Sequence, residues 1–222
     1  MKKSIIITAG GIGKRMESDI PKQFLLLGSK PVLIHALERF FEFDPTAQLI
    51  VTLPKDWTAH WNTLLRKYDT HIPHELVDGG SERFHSIQNA LAICTGEQIA
   101  IHDGVRPLVS METIARCFEG LNNSKAVVPV LKLKDSLRMG NLTKSESVDR
   151  SQFYLVHTPQ CFEASTLQKA YLQGYQAHFT DDASVVEAIG VSPLLVLSNE
   201  ENIKITSPTD LKILNALLQP WI

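Results

Sequence analysis

The chain has 222 residues, 44% of them hydrophobic and 21% charged, with a formal net charge of -2. That length predicts one domain with a sizeable core, and the near-balanced charge excludes the global basic field that draws in nucleic acid, so any anion site must come from a local cluster. No apolar run reaches the roughly 18 residues of a membrane span, and three cysteines, Cys94, Cys117 and Cys161, with no C-x-x-C pair predict free thiols in a reducing cytoplasm.

The opening Met1-Lys2-Lys3-Ser4-Ile5-Ile6-Ile7 pairs a basic start with an apolar run. The run is too short for a secretion signal, and Gly10-Gly11-Ile12-Gly13-Lys14-Arg15 ends it at once. A buried strand over residues 4–8 is predicted instead. Pro31 is placed to open a helix at its first position, with Leu33, Leu37, Phe40 and Phe41 on one face. A strand over 48–53 follows. Ser81 is placed to cap a second helix with Ile87, Ala90, Leu91 and Cys94 inward. Next come a strand over 98–102, a helix over 111–118 behind Ser110, and strands over 126–130 and 194–197. Ser207-Pro208-Thr209-Asp210 supplies a cap, a proline at the first helical position and an acid at the third. Leu211, Leu214, Leu217 and Leu218 then form an apolar stripe. Short, nearly continuously apolar strands alternating with helices predict a doubly wound, mostly parallel α/β sheet of Rossmann-like type, covered on both faces. Its ligands bind outside the carboxyl ends of the strands. Residues 131–150 break the rhythm: the stretch is polar and too long for a tight turn, so it is either a disordered loop or an arm that packs elsewhere. The arm is the reading adopted. The eight histidines show no zinc-like spacing.

The sharpest feature is Thr8-Ala9-Gly10-Gly11-Ile12-Gly13-Lys14-Arg15-Met16, followed by Pro21-Lys22-Gln23. Glycines at 10, 11 and 13 let backbone N–H groups turn toward one anion, and Lys14, Arg15 and Lys22 add charge. The glycines alone also fit a plain turn beside a solvated basic face. A P-loop would need Gly at Thr8 and Ser or Thr at Arg15. The dinucleotide fingerprint fits Gly11 and Gly13 but meets Met16, and the second strand ends in Leu53-Pro54-Lys55 without an acid. Both motifs fail.

G-G-x-G-x-R-M with the following P-K-Q resembles the nucleotidyltransferases that activate sugar and polyol phosphates, and most closely the 2-C-methyl-D-erythritol 4-phosphate cytidylyltransferase family. Further segments resemble that family in its own order over nearly the whole chain. They are Asp78-Gly79-Gly80-Ser81-Glu82-Arg83 with Ser86, His102-Asp103-Gly104-Val105-Arg106-Pro107, Val148-Asp149-Arg150, Thr158-Pro159-Gln160-Cys161-Phe162, Thr180-Asp181-Asp182-Ala183-Ser184 and Asn202-Ile203-Lys204-Ile205-Thr206. Gly10 stands where the family has Ala, Gly104-Val105 replaces Ala-Ala, and Ser136 stands where Thr is common. Ribitol-5-phosphate cytidylyltransferases share most of these motifs and can carry Val before Arg-Pro, so the reaction is the same on either reading while the acceptor stays open. A nucleotide-binding regulator without catalysis is a third reading.

The resemblance implies CMP transfer from CTP to 2-C-methyl-D-erythritol 4-phosphate, with Mg2+ on the phosphates, in non-mevalonate isoprenoid precursor biosynthesis. It implies CTP contacts at Ala9, Gly10, Gly11, Gly13, Gly80, Ser81, Ser86 and Asp103. Arg15 and Lys22 match transition-state stabilisers, and Arg150 and Lys204 match residues that orient the acceptor phosphate. Asp103, Arg106, Ser136 and Thr158 match further acceptor contacts, and Asp103 matches the metal carboxylate. The arm implies a homodimer with shared active sites, in which Ser136 and Arg150 act across the interface. Residues 1–222 would form one nucleotidyltransferase domain with that arm at about 131–150. Because a phosphate monoester is already ionised near neutral pH, its attack needs no general base. The demand is electrostatic: positioning and fixed positive charge. Rival structural readings stay open for single residues: Asp103 as a turn-forming residue, Ser81 as a helix cap and His102 as a packed strand end.

Overall fold

The computed structural model describes residues 1–11 and 20–218. In chain order, β1 (Lys3–Thr8) is followed by a small ladder of β2 (Leu26–Leu27) with β3 (Lys30–Pro31), and then by α1 (Val32–Phe43). β4 (Gln48–Leu53), α2 (Thr58–Lys67), β5 (Glu75–Asp78), α3 (Arg83–Leu91), β6 (Gln98–Asp103), α4 (Met111–Gly120) and β7 (Ala126–Lys132) continue the alternation. A hairpin of β8 (Leu137–Gly140) and β9 (Ser145–Val148) follows, then β10 (Tyr154–Val156), β11 (Gln160–Glu163), α5 (Ala164–Tyr171), α6 (Asp182–Glu187), β12 (Leu194–Leu197) and α7 (Pro208–Leu218).

The main sheet grows outward from β1. β4 and β6 flank it in parallel register, and β5 extends the sheet past β4. Past β6 the direction changes, because β11 enters antiparallel between β6 and β7. β10 pairs with β7 in the same antiparallel sense, and the register moves by two residues between β10 and β11. The two therefore behave as one strand opened by a bulge at 157–159, where His157 N still donates to Pro129 O at 2.8 Å. β12 lies parallel to β7. The result is a mostly parallel sheet with one antiparallel intrusion.

Side chains of successive strand residues point to opposite faces. Ile5 and Ile7 accordingly join the core under α1, α2 and α4, with Leu37, Phe40, Trp61 and Ile114. Ile6 turns the other way, into the core under α3, α5 and α6, with Ile87, Leu167 and Val186. Two covered faces explain why these strands read as unbroken apolar runs.

Helix starts match the sequence in part. Ser110 caps α4, its Oγ accepting from Thr113 N at 3.1 Å. Before α7, Ser207 Oγ accepts from Asp210 N at 3.4 Å while Asp210 Oδ2 accepts from Ser207 N at 2.7 Å, the reciprocal pattern expected there. Leu214 is buried in the α7 stripe and Leu211 and Leu217 pack beside it, but Leu218 is 38% exposed. Pro31 is not the first helical residue. It is extended, pairs with Leu26 and precedes α1 by one position. Ser81 does not cap α3: Glu82 holds that position without a side-chain cap, and Ser81 Oγ bonds His85 Nδ1 at 3.0 Å. The stretch after β7 is ordered, its hairpin forming a two-stranded sheet apart from the main one. Among the described residues no helix is long and apolar enough to cross a membrane.

Candidate active site

A cavity of about 450 Å³ opens at the carboxyl ends of β1 and β6. Thr8, Ala9, Gly10 and Gly11 form one wall, Gly80, Ser81, Glu82, Arg83 and Ser86 a second, and Lys22, Gln23, Asp103, Val105 and Lys204 complete the lining. Outside the carboxyl ends of parallel strands is where such a sheet holds its ligand.

Each wall is fixed by its own bonds. Ala9 N donates to Thr52 O at 3.0 Å, so the start of the glycine segment stays aligned with β4. Gln23, buried, donates Nε2 to Ala9 O at 2.7 Å. Phe24 packs on Trp57, His60 and Trp61 with ring centroids 5.5, 5.1 and 6.3 Å away. The turn Lys22–Phe24 is thus anchored from both sides, and Lys22 Nζ donates to Ile205 O at 2.8 Å. In the second wall, Gly79 N donates to Leu53 O at 2.7 Å and Gly80 N to Ser86 Oγ at 2.9 Å. A Cβ at Gly80 would stand 2.3 Å from His85 Cβ, so only glycine fits this close approach. At Gly10 a Cβ would meet Ser86 Oγ at 3.7 Å, an ordinary contact, and the family's Ala would fit.

Asp103 ends β6 and forms the charged floor. Its Oδ2 accepts from Arg106 Nε at 3.1 Å and pairs with Lys204 Nζ at 3.1 Å, and its Oδ1 faces Arg83 Nε at 3.7 Å. Burial alone would raise the carboxyl pKa, but Arg83, Lys204 and Arg106 hold it well below the usual carboxylate range. Beneath it, His102 Nε2 lies 3.0 Å from Arg106 O, a pure acceptor, so that nitrogen carries the hydrogen. His102 Nδ1 then accepts from Thr158 Oγ1 at 3.1 Å, and Thr158 Oγ1 accepts from Asp103 N at 3.0 Å. Burial pushes the imidazole down to about 4, so it is neutral at pH 7. Both ring nitrogens are engaged, which fits the packed strand end expected of His102. Arg106 Nη1 donates to Asn202 O and Asn202 Nδ2 to Thr158 O, both at 2.8 Å.

Nine of the residues singled out in the sequence therefore meet at the cavity: Ala9, Gly10, Gly11, Lys22, Gly80, Ser81, Ser86, Asp103 and Lys204. Arg106 and Thr158 are buried below Asp103 with their polar groups bonded to the protein. Ser136 and Arg150 sit exposed on the arm, apart from the lining, with Arg150 Nη1 donating to Lys134 O. Gly13 and Arg15 lie outside the described residues. Sequence reasoning gave no site role to Thr8, Gln23, Glu82, Arg83 or Val105. All five stood inside the quoted segments, which was the available signal.

Among the described residues no three His, Cys, Asp or Glu side chains gather into a metal cage. Asp103 and Glu82 are the carboxylates on this lining, and such a site suits Mg2+, which keeps water and substrate phosphates and takes one or two carboxylates from the protein. Asp103, buried where Glu82 is exposed, would be the carboxylate to hold such an ion.

This sheet, with a glycine segment after β1 and a cation-rimmed aspartate after β6, is the arrangement that the resemblance to nucleotidyltransferases implies. The family model for IspD, 2-C-methyl-D-erythritol 4-phosphate cytidylyltransferase, matches residues 4–220. The protein of that name from Bacteroides thetaiotaomicron is 49% identical over 219 residues, covering 98% of this chain and 100% of the relative. The one from Porphyromonas gingivalis is 45% identical, with 98% of both chains covered. The chain belongs to the 2-C-methyl-D-erythritol 4-phosphate cytidylyltransferase family. Solved structures agree. The cytidylyltransferase of that name from Thermus thermophilus superposes with a TM-score of 0.81 at 31% identity, covering 98% of each chain. The 4-diphosphocytidyl-2C-methyl-D-erythritol synthase from Anaerococcus prevotii gives 0.83 at 28%, covering 98% of this chain and 96% of the other.

Proposed function

We propose that this chain transfers CMP from CTP to 2-C-methyl-D-erythritol 4-phosphate with release of pyrophosphate, in isoprenoid precursor biosynthesis. Family membership over nearly the whole chain is the observation that carries this reading. An ionised oxygen of the acceptor phosphate forms a bond to the α-phosphorus of CTP, the bond from that phosphorus to the bridging oxygen breaks, and pyrophosphate leaves with the electron pair. No proton has to be removed from the nucleophile, so a site in which the buried His102 is neutral and bonded at both ring nitrogens meets the demand.

The polyphosphate lies along Ala9, Gly10, Gly11 and Gly13. Arg15 and Lys22 stabilise the charge that builds on the transferred group. Gly80, Ser81 and Ser86 face the cytosine, where small residues leave the backbone free to read the base edge. Lys204 and Arg150 orient the acceptor phosphate. Asp103, Arg106, Ser136 and Thr158 form its polyol side, Arg106 and Thr158 by setting the pose of Asp103. Asp103 would hold Mg2+ together with the nucleotide, and that ion supplies neutralisation of the triphosphate charge.

We further propose a homodimer in which the arm brings Ser136 and Arg150 to the neighbouring subunit's cavity. Support comes from apolar side chains left exposed on β10 and β12, where Leu155 is 50%, Val156 46% and Leu197 54% exposed. The free thiols Cys94, Cys117 and Cys161 suit a reducing cytoplasm. Measuring kcat/KM with CTP and Mg2+ for 2-C-methyl-D-erythritol 4-phosphate and for ribitol 5-phosphate tests the acceptor: a higher value for ribitol 5-phosphate overturns it. Equal turnover of UTP or GTP overturns the base, and a fully active monomer in sedimentation at micromolar concentration overturns the dimer.

A further inference from the structure

The segment Thr180-Asp181-Asp182-Ala183-Ser184 matches the family yet contributes nothing to the cavity lining. Its two aspartates divide their work. Asp181 caps α6, accepting from Ser184 N at 2.9 Å. Asp182 is buried and receives three donors: Arg83 Nη1 at 2.8 Å on Oδ1, Arg83 Nη2 at 2.7 Å on Oδ2, and Tyr171 Oη at 2.7 Å on Oδ1. A buried carboxylate is tolerated when it is paired and hydrogen-bonded, as here.

The two-pronged end of Arg83 is therefore committed to α6, away from the cavity. Its third nitrogen, Nε, faces Asp103 Oδ1 at 3.7 Å, beyond hydrogen-bonding reach. The other oxygen of Asp103 already carries Arg106 and Lys204. Arg83 thus lies between two carboxylates, and Asp182 takes the fork. An arginine fork seeks a carboxylate with which to make parallel bonds. Without the charge of Asp182, the carboxylate next in reach is Asp103, and both of its oxygens would then be held by protein cations.

We propose that Asp182 is a positioning residue: by gripping the Arg83 fork it keeps Asp103 Oδ1 open toward a divalent cation carried by the nucleotide. The inference rests on the reading of Asp103 as the metal carboxylate. Asp182 touches neither substrate nor metal, and acts through Arg83.

The test uses Mn2+ as a spin probe, with the free ion followed by electron paramagnetic resonance in the presence of CTP and full-length protein, without acceptor. The wild-type protein is expected to hold Mn2+ more tightly than CTP alone does. Asp182→Asn should weaken that retention about tenfold, the size usual for loss of an outer-shell partner. The double variant Arg83→Gln/Asp182→Asn should recover most of it, because the released fork is gone. A purely structural role for Asp182 predicts no such recovery. An unchanged Mn2+ affinity in a folded Asp182→Asn, or a double variant no tighter than the single, overturns the proposal. Should Asp182→Asn fail to fold, Tyr171→Phe decides: a threefold weakening, roughly, with a retained melt supports the proposal, and no change overturns it. Failure of the wild-type protein to bind Mn2+ beyond CTP alone overturns the reading of Asp103, and this inference with it.

Discussion

The floor of the cavity and the arm after β7 carry similar chemistry in opposite states. In the floor, Asp103, Arg106, Thr158 and His102 are buried, and each makes at least two bonds within this chain. On the arm, Ser136 and Arg150 are exposed on either side of a hairpin that belongs to no other sheet. A buried polar group left unpartnered is costly, so the floor is organised before any ligand arrives. The arm's Ser136 and Arg150 are exposed, and in the proposed dimer they would meet a second surface. One region therefore links function to stability, and the other should separate them.

The sharpest way to break this contrast is Asp103→Asn. It leaves Arg106, Lys204 and Arg83 facing a neutral group, and loss of one partner of a buried ion pair costs about 3–5 kcal/mol. Denaturant unfolding is expected to show that loss alongside lost turnover. A wild-type melt would mean that the floor is not held electrostatically. Next in size is Lys22→Ala, and its counterpart Arg15→Ala. Each should lower kcat by about 10²–10³, or roughly 3–4 kcal/mol in the transition state, with the fold intact. Near-normal kcat in either variant removes its assigned role.

The third test is pH. Burial holds His102 at about 4 in the folded chain, and burial with the nearby Arg106 does the same to His157. An unfolded histidine takes its proton near 6.5. Between those values the unfolded chain binds more protons than the folded one, so stability falls as pH falls through that window and is complete above it. Each histidine should withdraw about 2 kcal/mol between pH 7 and pH 5. His102→Phe, which retains a ring against Phe40, should flatten the slope of stability against pH. An unchanged slope would show that His102 is not held neutral. Smaller again in stability is Arg150→Ala, expected to change unfolding by less than about 0.5 kcal/mol yet to raise the acceptor KM about tenfold, as for a lost hydrogen bond to a charged group. Equal losses in both would erase the distinction between arm and floor. Gly10→Ala sets the lower bound: a methyl there meets only ordinary contact, so kcat/KM should stay within about threefold.

The contrast also explains what could be read from residues alone. β1, β4, β6 and β7 were legible because both faces are covered, which makes their sequences nearly all apolar. β5 and β10 were not, because Glu75, Asp78 and all of Tyr154–Val156 are exposed. α2 buries only Trp61 and Leu64, too thin a stripe to announce a helix. Ser81 was a sound cap by type, but the close packing of Gly80 on His85 delays the helix to Arg83. At the site, contiguous motifs named most of the lining. The His102 to Thr158 bond and the Arg83 to Asp182 fork join residues 56 and 99 positions apart, and no local pattern encodes such a pairing.

One strand has a wider consequence. β11 runs against its neighbours, so its entry lies at the end where β6 and β7 exit. The chain leaves β7, makes the whole excursion from 133 to 153 and returns through β10 without crossing to the opposite rim of the sheet. Whatever is inserted there emerges beside the cavity by topology alone. Hairpins of other lengths or chemistries could be exchanged at this point while every strand that positions the cavity retained its neighbours.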